Sequence, residues 1–308
     1  MDALPPHGSH QAYAALREGA GVLDLSSRGR LCLLGADRQR FLNGQVTNNV
    51  KDLHVGQGCY AALVSAKGKL QSDLNIYCLE NELLLDFEPG YVATVTQRLE
   101  KYVIAEDVQI IDASPHYGLL SVQGPKAASL LEKYPAKPTE ILKVEDALLG
   151  EIYVANRPRL LTAGFDLFVP VAAMQNAVEQ LLKRGGRLCG SEAFETARIE
   201  DGIPRFGVDM DESNLAPEAL DERAISYSKG CYIGQEVIAR VRTYGQVSKS
   251  LRRLKMEKLP AKGTKLYQGD KEAGYVTSAA QSPATGEILA LGYVRRGVSE
   301  LTEGTKFR

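Results

Sequence analysis

A change of pattern near residue 246 constrains the fold more than any other feature of this sequence. Up to about residue 200, short apolar runs alternate with segments that have helical periodicity. From Val247 onward only short strand-like runs occur, separated by Gly, Pro and Lys turns. This pattern predicts an α+β region with helices on mixed or antiparallel sheets, followed by a small C-terminal β-barrel. The barrel strands are expected at Leu251–Met256, Lys265–Tyr267, Gly274–Ser278, Ile288–Val294 and Thr305–Arg308.

Two helices and several strands are clear in the first part of the chain. The helices are predicted at Tyr91–Val103 and Val171–Lys183, where apolar residues recur at helical spacing. Shorter apolar runs bounded by turn residues predict several strands. Among them are Cys59–Ser65, Leu74–Leu79, Leu83–Phe87 and Leu160–Val169.

Composition narrows the class of protein. The 308 residues are 44% hydrophobic and 24% charged, which is typical of a globular chain with more than one core. No apolar run approaches the roughly 18 residues that span a bilayer, and no leader pattern opens the sequence, so we expect a cytoplasmic, non-membrane protein.

The five cysteines have no Cys-x-x-Cys spacing, which favours free thiols. The Gly68-Lys69 pair lacks the rest of a phosphate loop, and no residues stand at metal-ligand spacing.

The stretch Lys229–Glu236 contains more kinds of reactive and charged groups than any other segment of its length. It holds a thiol, a cation, an amide, a carboxylate and two glycines in eight residues. The glycines indicate a sharp turn or a close approach, so we interpret the stretch as a site first and a strand second. Lys229 could lower the pKa of Cys231, whereas Glu236 would raise it. An inert buried thiol in a strand remains an equal alternative.

Other charged residues are candidates for ligand binding. Arg198 lies one helical turn from Glu195, and the two could form a solvated ion pair or bind an anion or a polar ring. Asp166 alternates with apolar residues in a predicted strand, so an inward carboxylate would need a partner. Asp73 precedes the strand that begins at Leu74. Both aspartates could instead cap an element or face water.

Basic residues dominate from Lys229 to Lys262, nine against two acidic ones. A charge run of this kind is usually a solvated face. Next to the cysteine stretch it could also attract an acidic partner, such as a polyglutamylated cofactor tail or an RNA backbone, through a salt-sensitive interaction.

The stretch Lys229–Glu236 resembles the signature of the YgfZ-type family, Lys-Gly-Cys-Tyr/Phe-x-Gly-Gln-Glu, without a gap. This family contains folate-binding relatives of the glycine-cleavage T-protein that are implicated in iron–sulfur cluster assembly and tRNA modification. Further segments resemble the wider T-protein superfamily, so the resemblance covers essentially the whole chain. These segments are Gly21–Ser26, Phe41-Leu42 with Thr47-Asn48, Val122–Pro125, and Arg198–Pro204 with Asp209.

The resemblance implies three domains around a central folate-binding channel, with the last domain a β-barrel. We place the domains at residues 1–112, 113–245 and 246–308, the second carrying the Lys-Gly-Cys motif. It also implies roles for individual residues. Catalytic roles would fall to Cys231, Lys229 and Gln235, and cofactor binding to Arg198 in the channel, Asp166 facing the pterin, Asp73 and Tyr232.

The sequence departs from true T-proteins at two places. Their Asp-Asp pair is Ser72-Asp73 here, and their Tyr-Thr-Gly-Glu-Asp-Gly run is replaced by Leu160–Gly164. We therefore predict a monomeric tetrahydrofolate-binding accessory protein for assembly or repair of iron–sulfur enzymes, with iron–sulfur client or assembly proteins as partners and a weak RNA contact through residues 229–262. The alternatives are a folate-dependent aminomethyltransferase or demethylase of the T-protein type and a pure binding module for RNA or a protein.

Overall fold

The computed structural model describes residues 9–243, 245 and 247–298 of the chain. The predicted strand at Thr305–Arg308 lies outside these residues. No helix in the described part of the chain is long and apolar enough to cross a membrane.

The first part of the chain mixes helices and strands, as predicted. In chain order these elements are α1 (Ser9–Glu18), β1 (Gly21–Asp24), β2 (Gly29–Leu34), α2 (Arg38–Gln45), β3 (Gly58–Val64), β4 (Leu70–Cys78), β5 (Leu83–Phe87), α3 (Val92–Glu100), β6 (Gln109–Asp112), β7 (Tyr117–Gln123), α4 (Ala127–Leu130), β8 (Ile141–Asp146), β9 (Gly150–Asn156), β10 (Gly164–Pro170), α5 (Met174–Lys183), β11 (Arg187–Leu188), α6 (Ser191–Asp201), α7 (Ala216–Ala219) and α8 (Gln235–Thr243).

Only strands follow α8 in the described residues. They are β12 (Lys249–Met256), β13 (Lys265–Gln268), β14 (Lys271–Gln281) and β15 (Ile288–Arg295), and they form an antiparallel sheet of order β12-β15-β14-β13. The other two sheets have the orders β11-β1-β7-β10-β9-β8 and β3-β4-β5-β2-β6. This is the mixed α+β fold with a small C-terminal antiparallel β domain that the sequence predicts.

The chain divides into two compact units. Unit 1 comprises Met1–Gln39, Asp52–Cys59 and Asn75–Ala197, and unit 2 comprises Arg40–Lys51, Tyr60–Leu74 and Arg198–Arg308. The three-domain division at residues 112 and 245 stays a prediction.

Unit 1 contains the two helices that the periodicity predicts most clearly. Helix α3 buries Val95 and Leu99 and packs against β2, while α5 buries Ala177 and Leu181 in the main apolar core. Strand β10 is buried on both faces. Its Phe165, Leu167 and Val169 belong to the core that contains α5, so the alternate residues of β10 point to the opposite face of the sheet.

Three local predictions are wrong. The strand predicted at Leu160–Val169 begins only at Gly164, because residues 160–162 form bends and residue 163 is irregular. Asp73 lies inside β4 rather than before it, since that strand already begins at Leu70. Cys231–Ile233 is not a strand but an irregular segment that leads into α8. Strands β8 and β9 were not predicted at all.

Candidate functional site

A buried arginine joins two carboxylates in unit 1. Strand β10 places Asp166 opposite Ser121 of β7, and strand β5 places Asp86 opposite Asn75 of β4. Arg159 reaches both carboxylates. Its Nε lies 3.0 Å from Asp166 Oδ1 and its Nη2 lies 2.7 Å from Asp166 Oδ2 and 2.8 Å from Asp86 Oδ2. The inward carboxylate at Asp166 thus has the partner that an inward orientation requires.

Further side chains saturate the same two carboxylates. Arg28 Nε donates to Asp86 Oδ1 at 2.7 Å, and its Nη1 pairs with Glu88. The amide of Asn75 donates to Asp86 Oδ2 at 2.7 Å, and the hydroxyl of Ser121 donates to Asp166 Oδ1 at 2.7 Å. We call the set Arg28, Asn75, Asp86, Glu88, Ser121, Arg159 and Asp166 the carboxylate network.

Electrostatics favour the charged form of the central groups. Burial alone would raise the pKa of Asp86, but the guanidinium groups of Arg28 and Arg159 outweigh it and hold that pKa well below its usual range. Burial likewise opposes the charge of Arg159, yet Asp166 and Asp86 raise its pKa well above the ordinary value. Asp86 and Arg159 are therefore ionised at neutral pH.

Oδ1 of Asn75, within this network, and the hydroxyl oxygen of Tyr77, near it, are buried without a hydrogen-bond partner among the described residues. Burial and the neighbouring Asp166 raise the pKa of Tyr77, so its hydroxyl stays protonated and available as a donor. The Tyr77 ring packs edge-on against Phe168 with centroids 5.7 Å apart.

In unit 2, Arg198 forms a buried ion pair. Its Nη1 lies 2.6 Å from Asp209 Oδ2, and only 1% of the arginine is exposed. The other oxygen of Asp209 accepts hydrogen bonds from the hydroxyls of Thr277 and Ser278, each at 2.6 Å. The solvated interpretation of Arg198 is therefore wrong, because the side chain is enclosed and paired with Asp209.

Asp73 is also in unit 2, where Tyr60 donates its phenolic hydrogen to Asp73 Oδ2 at 2.8 Å. Both side chains are half-buried. A carboxylate in this position can still meet a ligand.

Lys229 anchors the loop that carries Cys231. Its Nζ donates to the main-chain oxygens of Asn43, Val46 and Asn48 at 2.6, 2.8 and 2.7 Å. It also lies 4.9 Å from the ring centroid of Tyr232, which is itself buried. Burial raises the pKa of Tyr232 to about 12. Lysine and tyrosine thus form the base of the loop, while Cys231 is exposed.

The two glycines of this loop have different roles. Gly234 has a φ of +82°, and a Cβ there would lie 2.4 Å from the main-chain oxygen of Ser65. A Cβ at Gly230 would meet no atom within 4 Å. The prediction of a sharp turn or close approach is therefore confirmed for Gly234. At Gly230 no neighbouring atom of the described residues requires a glycine, and a close approach of a ligand there stays a prediction. Gln235, half-exposed, is the first residue of α8.

The basic residues from 229 to 262 are largely engaged within unit 2. Lys229 is bound as above, Arg240 pairs with Glu236, and Arg253 donates to the main-chain oxygen of Glu200. Lys249 lies 4.5 Å from the ring centroid of Tyr293. RNA contact through this stretch stays a prediction.

Sequence reasoning missed Arg159, Arg28, Asp86 and Tyr60. The signal for Asp86 was available, because it is the one charged residue in the apolar run Leu83–Phe87, as Asp166 is in its own strand. The described residues contain no group of three or more His, Cys, Asp or Glu side chains that could hold a metal ion.

Comparisons with known proteins cover nearly all of the chain. Residues 6–229 match the family model of the GCVT N-terminal domain, and residues 249–308 match the glycine cleavage T-protein C-terminal barrel domain. A chloroplastic protein of Arabidopsis thaliana named as a transferase is 28% identical over 94% of this chain and 69% of its own length. An aminomethyltransferase of Thermosynechococcus vestitus is 28% identical over 92% of this chain and 79% of its own.

A solved structure agrees with the fold. The glycine cleavage system aminomethyltransferase T of Bartonella henselae superposes with a TM-score of 0.86 at 22% identity, covering 98% of this chain and 85% of that chain. At this identity the likeness concerns the fold.

Removing one carboxylate of the network should destabilise the protein strongly. We expect Asp86→Asn to lower the free energy of unfolding at pH 7 by about 3–5 kcal/mol, because two buried guanidinium groups lose their shared counter-charge. The pKa of Asp86 is lowered in the folded state, so its contribution is present above the unfolded pKa of about 3.9 and is lost as the pH falls through the folded value.

Urea unfolding at several pH values measures this contribution. The exposed Asp270→Asn variant is the matched control and should stay within about 0.5 kcal/mol of the parent. Equal stability of the two variants at pH 7 would contradict the role given to Asp86.

The two loop glycines provide an internally controlled pair. Gly234→Ala should lower the free energy of unfolding by roughly 2 kcal/mol or more, because alanine is strained at this φ and its Cβ would press on the Ser65 carbonyl. Gly230→Ala should change it by less than about 0.5 kcal/mol. Thermal unfolding of both variants measures the difference, and a Gly230→Ala effect as large as that of Gly234→Ala would refute this account of the loop.

Proposed function

The chain belongs to the family of the glycine cleavage T-protein, and from this premise we propose that it binds tetrahydrofolate and supports the assembly or repair of iron–sulfur enzymes, including those of tRNA modification. Cys231 is its functional thiol. The protein acts in the cytoplasm as a monomer, and its partners are iron–sulfur client or assembly proteins. One thiol cannot ligate a cluster alone, so a partner or a small thiol completes any ligand set.

The observation that carries the proposal is the exposure of the five thiols. Cys32, Cys78 and Cys189 are buried and Cys59 is half-buried, whereas Cys231 is exposed. Burial raises the pKa of Cys189 to about 11 and also raises the pKa of Cys32 and Cys78, which makes these three poor nucleophiles and ligands. Chemistry with a partner's cluster or electrophile therefore falls to Cys231.

The base of the cysteine loop supports the same conclusion. Lys229 is fixed by three main-chain oxygens, and Gly234 fits closely against Ser65. An exposed thiol on an anchored loop loses little conformational entropy when a partner binds it. Lys229 thus positions the thiol, and Gln235 shapes the same loop from the first turn of α8.

Folate binding rests on the family and on the polar groups that each unit offers. Proteins of this family bind tetrahydrofolate. In unit 1, Tyr77 has a buried donor and Asn75 a buried acceptor that no described residue satisfies, and a pterin ring carries complementary acceptors and N–H donors. Asp166 supplies a carboxylate in the same region. In unit 2, Arg198, Asp73 and Tyr232 are the candidate ligands. When bound, the folate supplies one-carbon chemistry at its ring nitrogens.

A second function, folate-dependent aminomethyl transfer or demethylation, is favoured by the Tyr60–Asp73 pair. The half-buried carboxylate of Asp73 is oriented by the Tyr60 hydroxyl at 2.8 Å and could accept a proton from a bound amine. Ser72 in place of a second acid weakens this reading. Folate-dependent release of formaldehyde or ammonia from a secondary amine would be its signature.

Folate binding is tested by titration calorimetry of the full chain with tetrahydrofolate and a polyglutamylated form. We expect saturable binding, weakened about tenfold in Tyr77→Phe, because that variant removes only a buried hydroxyl that the ligand would satisfy. The matched control is Tyr293→Phe in unit 2, which also removes a buried hydroxyl that has no hydrogen-bond partner among the described residues. Absence of binding to either folate would overturn the folate proposal, and equal affinities of the two variants would remove Tyr77 from it.

The thiol proposal is tested in cells that lack the native copy. Cys231→Ser should leave the activity of client iron–sulfur enzymes at the level of cells without the protein, since a hydroxyl is a far weaker nucleophile and metal ligand than a thiolate. Cys59→Ser is the matched control and should restore activity like the parent. Full restoration by Cys231→Ser would exclude the role assigned to this thiol.

A further inference from the structure

A cavity of about 240 Å³ lies in unit 1, apart from the carboxylate network. Its floor is formed by the buried side chains of Cys32, Leu84 and Phe168. Two half-buried tyrosines, Tyr117 and Tyr153, form a wall, with their rings edge-to-face and their centroids 6.0 Å apart. Two lining residues, Ile111 and His116, are exposed, so the cavity reaches the surface of the unit.

The size of the cavity limits the ligand to one ring with a short side chain. An apolar cavity of about 150 Å³ takes up benzene, and this one is larger by roughly the volume of a few methylene groups. The aromatic walls favour a ring that stacks or packs edge-on against them. A folate, with its fused ring system, benzoate and glutamate, does not fit in this volume.

Glu82 gives the cavity its charge. Glu82 is a half-exposed residue of the lining, and its carboxylate interacts with the Cys32 thiol. The same carboxylate raises the pKa of Cys32, Tyr117 and Tyr153, although burial is the larger cause in each case. No described basic side chain forms an ion pair with Glu82, so its negative charge acts across the space.

The other charges near the cavity are matched elsewhere. Glu151, which accepts the Tyr153 hydroxyl at 2.6 Å, pairs with Lys143 at 2.7 Å. Arg30 also lines the cavity, but it is 1% exposed, and its guanidinium donates to the main-chain oxygens of Arg28, Ser26 and Ser114. Its Nε has no hydrogen-bond partner among the described residues, and its charge is attracted by the carboxylates of Asp86, Asp112 and Asp24. His116, another lining residue, is exposed. Glu82 is therefore the half-exposed charge at the cavity that forms no ion pair with a described residue.

From these observations we propose that the cavity binds a small protonated amine with a single apolar or aromatic ring. The ring occupies the space between Phe168 and the wall formed by the two tyrosines, and the ammonium group pairs with Glu82. An ammonium beside aromatic rings gains a cation–π attraction in addition to its hydrogen bond to the carboxylate. The site is independent of the folate proposal, because none of its lining residues belongs to the carboxylate network or to the cysteine loop.

Three probes of nearly equal shape test the charge preference on the full chain. They are 2-phenylethylamine, which is protonated at neutral pH, the neutral 2-phenylethanol and the anionic phenylacetate. We expect the ammonium to bind about tenfold more tightly than the alcohol, and phenylacetate to bind most weakly. Equal affinities, a preference for phenylacetate, or no binding of any probe at millimolar concentration would overturn the proposal.

Two variants locate the binding. Glu82→Gln should abolish the preference for the ammonium while leaving the alcohol's affinity unchanged, and the exposed Glu132→Gln in the same unit should leave both unchanged. Ala113→Leu fills the cavity and should remove binding of all three probes, with folding checked by circular dichroism. An ammonium preference that survives Glu82→Gln, or binding that survives Ala113→Leu in the folded variant, would place the amine elsewhere and refute this site.

Discussion

The bridge from Arg159 to Asp166 and Asp86 is the interaction on which unit 1 depends. It joins a strand of the six-stranded sheet to a strand of the five-stranded one, in a region that excludes water. Bringing these charges out of water costs several kcal/mol per ion, which only close pairing recovers. A small displacement of either sheet would leave a charge unpaired. The network therefore contributes more to the uniqueness of the packing than to net stability.

The same bridge changes what Asp166 can do for a ligand. Both of its oxygens already accept hydrogen bonds from Arg159, and Oδ1 also accepts one from Ser121. A pterin that approached this carboxylate would have to share these donors or displace them. Tyr77 and Asn75 are better placed to give a ligand new hydrogen bonds, because each keeps a buried polar atom that no described residue satisfies. Tyr77 and Asn75 thus offer a ligand more available hydrogen-bonding groups than Asp166 does.

Local periodicity predicted α3, α5 and the strands of the C-terminal sheet, because these elements depend on residues close in sequence. Partners that come from distant segments were not predictable in this way. Asp166 was expected to need a partner, but nothing in its own strand points to Arg159 or, through it, to Asp86, whose strand lies 80 residues earlier. Lys229 shows the same limit. Its charge suggested an effect on the neighbouring thiol, whereas its amine is used by carbonyls from residues 43–48.

The motif Lys229–Glu236 uses different residues to fix the backbone of the loop and to expose its thiol. The cation, the tyrosine and Gly234 serve the base of the loop, where burial, three hydrogen bonds and a left-handed φ fix the backbone. Gly230 and Cys231 lie on the exposed side, where no close contact demands a glycine. Gly230 and Cys231 are thus free of the close packing that fixes the rest of the motif, and the backbone that carries the thiol is held from its buried side.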